Sequence, residues 1–128
     1  MTQRQEVGKL GEDLAVKYLK DGGYKIIERN HWKPWGELDI ITTALDKTLV
    51  FFEVKSLKHN LTKESSSDLI QPENNLTQAK LKKLQRTASL YVNSNSELVN
   101  ENRGWRIDLL AIDIFDKEKS NIRHYENI

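Results

Sequence analysis

The sequence predicts a mixed α/β domain, a sheet with two helices packed on it. Three observations point there. Apolar residues recur at helical spacing near the start of the chain and again after residue 77. Between these stretches lie three short apolar runs separated by turn residues. A long apolar run, WRIDLLAIDIF at 105–115, follows the second helical stretch. Two helices on a mixed sheet is the economical architecture for that order.

Taken in order, the first helix spans about Gln3 to Lys20, with Val7, Leu10, Gly11, Leu14, Ala15 and Tyr18 on one stripe. Gly22-Gly23 stops it. YKIIERN (24–30) reads as a strand, HWKPWG (31–36) as a turn around Pro34 and Gly36, and GELDIIT (36–42) as a second strand. In that second strand, Leu38 and Ile40 take one face, and Glu37, Asp39 and Ile41 the other. After a turn at Asp46-Lys47 comes LVFFEVKSL (49–57). Three strands joined by short turns form a meander, so neighbours pair antiparallel. Residues 58–75 are polar and aperiodic and read as a mobile loop. The second helix covers about Thr77 to Val92, burying Leu81, Leu84, Ala88, Tyr91 and Val92. A loop at 93–104, the strand at 105–115 and a short last strand, IRHYEN, complete one domain over 1–128.

Composition narrows the function. With 38% hydrophobic and 30% charged residues, the chain describes an ordinary soluble protein. No apolar run is long enough for a membrane span, and MTQRQEVGKLGED lacks a secretory signal's apolar stretch. The absence of cysteine excludes disulfides and thiolate metal sites and fits a cytoplasmic location. Net charge is +1, from 20 basic and 19 acidic residues, so the chain does not coat nucleic acid by bulk electrostatics. One local concentration of charge stands out. Between Leu76 and Val92 lie Lys80, Lys82, Lys83 and Arg86, with no acid. Lys80, Lys82 and Arg86 are therefore candidate nucleic-acid contacts, Lys80 foremost because it nears the edge of the apolar stripe. Lys83, nearly opposite the leucines, is expected to matter least.

The stretch FFEVK (51–55) places Glu53 and Lys55 side by side on one face of a strand that opens apolar on both faces. Asp39 lies on the preceding antiparallel strand. Paired strands sit about 4.7–4.9 Å apart, so two carboxylates at one level can share a divalent cation. Lys55, roughly 6.5–7 Å further along, can reach a water on that cation. This donor set suits Mg²⁺ (or Mn²⁺) and phosphodiester hydrolysis. The same pattern also describes a half-exposed amphipathic strand face, and spacing alone does not choose between them. Glu12 falls about 120° from the stripe of the first helix, which makes it a surface residue by periodicity. Asp108, in a buried-looking strand, requires a partner, and Arg106 shares its face. Histidines 31, 59 and 124 have no zinc-ligand spacing.

Asp39, Glu53-Val54-Lys55 and the order of elements resemble the PD-(D/E)xK nuclease superfamily, with its restriction-endonuclease-like αβββαβ core. More narrowly, GKLGEDLAVKYLKDGGYKIIERN, GELDII, LVFFEVK, the helix with Lys80 and Leu84, and WRIDLLAI resemble the YraN-like family of small bacterial proteins. The likeness runs from about Val7 to Asn127 and fails mainly at 58–75. It implies a Mg²⁺-dependent endonuclease acting on DNA, branched DNA included, with Asp39, Glu53 and the Val54 carbonyl as metal ligands and Lys55 as the catalytic lysine. It also implies a catalytic role for Glu12, because archaeal Holliday-junction resolvases of this superfamily use a glutamate on the first helix. A homodimer follows by the same fold-level analogy. Three departures stand out: Leu38 replaces the motif proline, Leu57 stands where relatives often have arginine, and Gln78-Ala79-Lys80 replaces Pro-x-Lys. The alternative is a non-catalytic nucleic-acid-binding or protein-interaction module in DNA repair or uptake.

Overall fold

A computed structural model describes residues 2–59, 71–116 and 118–128. Helix α1 runs Gln3–Asp21, followed by strands β1 (Lys25–Lys33), β2 (Gly36–Thr43) and β3 (Leu49–Lys58). A 3₁₀ turn at Pro72–Asn75 leads into helix α2 (Gln78–Ser94), and a second at Ser96–Leu98 precedes β4 (Trp105–Ile114) and β5 (Ser120–Tyr125).

Both ends of α1 are locally encoded. Thr2 and Gln5 form a reciprocal capping box that satisfies free N–H groups of the first turn. At the other end Gly23 takes φ +87°, and the N–H groups of Gly23 and Tyr24 return to the carbonyls of Lys20 and Leu19. That reversal needs the left-handed backbone glycine adopts freely. The buried stripe is Gly11, Ala15 and Leu19. Tyr18, expected inside, lies at the surface with its hydroxyl 3.2 Å from His124 Nδ1.

The strands form one sheet in the order β1-β2-β3-β4-β5. The first three make the expected antiparallel meander. β4 then lies parallel to β3, and β5 antiparallel to β4, so the sheet is mixed. The chain between β3 and β4 contains α2, as a parallel crossover requires. Each helix covers one face. Ala15 and Leu19 of α1 meet Ile40, Val50, Phe52, Leu110 and Ile112, while Leu84, Ala88 and Tyr91 of α2 meet Leu38, Ile41, Leu49, Phe51 and Ile107. The architecture is consistent with a restriction-endonuclease-like core.

Local differences have local causes. β1 continues through Lys33, which shortens the expected turn to Pro34-Trp35. Behind that turn Gly36 lies against α2, where an added Cβ would stand 2.1 Å from Thr87 Oγ1. Of the expected loop 58–75, Lys58 ends β3 and Pro72–Asn75 is a 3₁₀ turn, while 60–70 lie outside the described residues. The turn is held because Arg123 Nε and Nη2 each donate to the Glu73 carboxylate at 2.7 Å. Among the described residues, no helix is long and apolar enough to cross a membrane.

Candidate functional site

The β2–β3 ladder runs from Thr43↔Leu49 to Ile40↔Phe52 and stops. Asp39 and Glu53 occupy the next rung, where the two strands part. On its other side the β1–β2 ladder skips the rung between Arg29↔Ile40 and His31↔Leu38, where Asn30 would face Asp39. Asn30 has φ +52°, a left-handed conformation uncommon outside glycine but tolerated by asparagine.

This interruption also breaks the side-chain alternation. Leu38 and Ile41 both pack under α2, and Ile40 packs under α1. Leu38 is therefore not on the face of Ile40, as strict alternation predicts. Asp39 turns toward β3, and its Oδ2 accepts the Val54 N–H at 2.8 Å. A carboxylate thus takes a donor that a ladder carbonyl would otherwise hold. Because a residue's N–H and C=O leave an extended strand on the same side, the Val54 carbonyl also faces Asp39.

Phe51, Glu53 and Lys55 share the α2 face, as alternation from FFEVK predicts. Lys55 Nζ lies 3.1 Å from Glu53 Oε1, with the two side chains 24% and 14% exposed. Burial, with the nearby charge of Glu53 next in weight, pushes the Asp39 carboxyl up to about 7, against the N–H of Val54. Burial likewise raises Glu53, opposed by Lys55. Two half-buried carboxylates therefore share one ammonium, and neither is comfortable as an anion.

These groups line a cleft of about 360 Å³ whose other wall is α2, with Lys80, Lys83, Leu84 and Thr87 at positions i, i+3, i+4 and i+7. Lys80 Nζ donates to the Asn75 carbonyl at 3.0 Å, and its charge acts on Glu53. Lys83 belongs to this wall, whereas Lys82 and Arg86 are exposed and do not line it. The expected order of the basic residues changes because the buried stripe of α2 is Leu84, Thr87, Ala88 and Tyr91. Leu81 lies at its margin, and a buried threonine beside Gly36 turns the helix so that Lys83 flanks the cleft.

Glu12 is not among the cleft residues. Its Oε1 accepts from Arg29 Nε and Asn30 Nδ2, both at 2.9 Å. It thus braces the irregular β1 rung from the far side of the sheet. Its helical angle gave no sign of this, since the partners come from β1. Glu37, two residues before Asp39, also lines the cleft and was not singled out from the sequence, although its i−2 position carries that signal.

Among the described residues no group of three or more His, Asp or Glu side chains is arranged to hold a metal. The residues present nevertheless fit one hard cation: two carboxylates and one carbonyl supply oxygen only, leaving further positions to water and substrate. Asp108 meets the other expectation. It is fully buried and accepts from Arg106 Nε, from His124 Nε2 at 2.8 Å and from the Asn127 N–H at 2.9 Å.

The model of a family described as uncharacterised protein family UPF0102 matches residues 11–112. A UPF0102 protein of Fervidobacterium nodosum is 38% identical over 94% of this chain and 79% of its own length. One from Syntrophomonas wolfei is 36% identical over 96% of both chains, and one from Mycobacterium marinum 34% identical over 94% of this chain and 92% of its own. These likenesses agree with the narrower, YraN-like resemblance. The chain belongs to the UPF0102 family.

Proposed function

We propose that this protein is a metal-dependent phosphodiesterase acting on DNA, a divergent member of the PD-(D/E)xK nuclease superfamily. One observation carries the reading. Asp39 and Glu53 fall on the rung where two central strands part, and Lys55 stands on the same face as Glu53, 3.1 Å from its carboxylate.

Asp39, Glu53 and the Val54 carbonyl would hold Mg²⁺ or Mn²⁺. Bound there, the cation supplies charge to a phosphoryl oxygen and lowers the pKa of a water. Asp39, with its carboxyl near 7, gives up a proton on binding, so affinity rises with pH through neutrality. Lys55 orients the attacking water or offsets charge developing on the phosphate. Lys80 and Lys83 draw the DNA backbone to the opposite wall. Glu12 acts at a distance, keeping Arg29 and Asn30 in the conformation that leaves the Asp39 rung open.

The test is incubation with linear, flapped and four-way DNA, with and without Mg²⁺ or Mn²⁺. Metal-dependent cleavage of any of these is expected. Salt-dependent binding with no cleavage under either metal would refute the enzyme and describe a binding module instead.

A further inference from the structure

Beyond Phe52, β3 has lost β2, while its pairing with β4 continues to Lys58↔Ile114. Among the described residues, the segment Glu53–Lys58 therefore has one open edge in the middle of the sheet. Backbone N–H groups alternate sides along a strand. The N–H of Val54 points to the open edge, since it donates to Asp39, so those of Ser56 and Lys58 point there too. The N–H of His59, out of phase with them, bonds the Ile114 carbonyl on the closed side.

This edge lines a second cavity, of about 530 Å³, between the first turns of α1 and the chain at Asn75. It shares Val54, Lys55 and Lys80 with the carboxylate cleft and continues it. Among the described residues, its charged lining is Arg4, Lys55, Lys58 and Lys80, with no acid. Arg4 and Lys58 are exposed, and no ion pair among the described residues involves either. A chain with net charge +1 has gathered four cations around one groove.

We propose that this groove is the track for the DNA strand on one side of the reacting phosphate. Arg4, Lys58 and the open N–H groups of Ser56 and Lys58 take the flanking phosphates. The proposal rests on the phosphodiesterase reading above. Lys55 and Lys58 are three residues apart on an extended strand, about 10 Å. Lys58 thus meets a phosphate flanking the one that faces Lys55. An open edge can also accept an added peptide strand, but a groove whose described lining carries four cations, of which Lys55 alone pairs with a carboxylate, suits a polyanion.

The experiment compares wild type with the Arg4→Gln/Lys58→Gln double variant. Affinity for a labelled DNA of about 30 nucleotides, single-stranded and duplex, is measured against salt in EDTA. Both side chains are exposed, so the fold is retained, and a thermal melt checks it. The double variant is expected to lose about two units of log–log salt slope, one per phosphate contact. Its Mn²⁺ affinity should match wild type, and Lys82→Gln, outside both cavities, should bind DNA as wild type does. Wild type that cleaves while the double variant keeps the wild-type slope would overturn the track and leave the cleft reading standing. Wild type that neither binds nor cleaves DNA would overturn both.

Discussion

Asp39 and Asp108 are both carboxylates placed inside central strands, and the chain treats them oppositely. Asp108 is 0% exposed, but Arg106, His124 and the Asn127 N–H all donate to it. Burial alone would raise its pKa; these hydrogen bonds outweigh it and hold the carboxyl below the ordinary range. Asp39 has the Val54 N–H and otherwise faces Glu53, so burial and like charge push it up to about 7. Burial therefore does not separate a structural carboxylate from the one proposed to hold a metal. The supply of donors does. Asp108 is satisfied by its own fold, and Asp39 is left with an unmet demand for positive charge.

The largest expected effect lies in metal binding. Asp39→Asn should weaken Mn²⁺ binding about 100-fold or more, since even supporting groups around a metal are worth 10–100-fold. Asp108→Asn should leave it unchanged. Lys55→Ala should also stay within a few-fold of wild type, because the role proposed for Lys55 is on water or phosphate rather than on the metal. Calorimetric titration distinguishes these cases, and a lost site in the Lys55 variant would make that lysine structural.

Stability should reverse the order. Asp108→Asn takes the counter-charge from a partly buried Arg106 and should destabilise by about 3 kcal/mol in denaturant titration. Asp39→Asn keeps an oxygen for the Val54 N–H and removes an unfavourable anion. It should unfold no more easily than wild type.

A smaller effect is the pH dependence, which should have opposite sign at the two sites. The folded pKa of Asp39 is about 7 against an ordinary 3.8, so the folded state retains a proton the unfolded state has released. Without metal, stability falls as pH rises through that window. Asp39→Asn should therefore melt higher than wild type at pH 8, by ~4 °C for each kcal/mol, with the advantage shrinking as pH falls and gone near the ordinary carboxylate value. Asp108, depressed below its ordinary value, contributes stability above about pH 4 that is lost as pH falls through its folded pKa. A melting series of the Asp39 and Asp108 variants from pH 3 to 8 checks both signs.

The smallest effect concerns α2. Lys80→Ala and Lys83→Ala should each reduce the salt slope of DNA binding by about one unit, and Lys82→Ala should not change it. Equal slopes in all three variants would make the basic run a solvated surface.

Much of the site was legible because strand alternation is short-range. FFEVK alone puts Glu53 beside Lys55, and a short turn places Asp39 opposite them. Both helices and the meander were legible for the same reason, since their periods are written within single segments. What escaped depends on contacts between distant segments. The α2 stripe shifts because Thr87 packs against Gly36, which moves Lys83 to the cleft. Glu12 and Tyr18 go to partners on β1 and β5, which helical angles cannot foresee. The break at Asp39 depends on Asn30 across the sheet, so alternation assigned Leu38 to the wrong face. A buried Asp108 requires a partner on sequence grounds alone, but its second one, His124, comes from the following strand.

The claim that Asp39 is left short of positive charge because it serves a cation in phosphodiester cleavage has one most direct measurement. Wild type and Asp39→Asn, purified side by side, are incubated with linear and four-way DNA in Mn²⁺ at pH 8, and strand cleavage is followed in time. Wild type should cut, and Asp39→Asn should fall to the no-metal background while its melting temperature equals or exceeds wild type. Equal cleavage by both proteins, or none by wild type, would contradict the account.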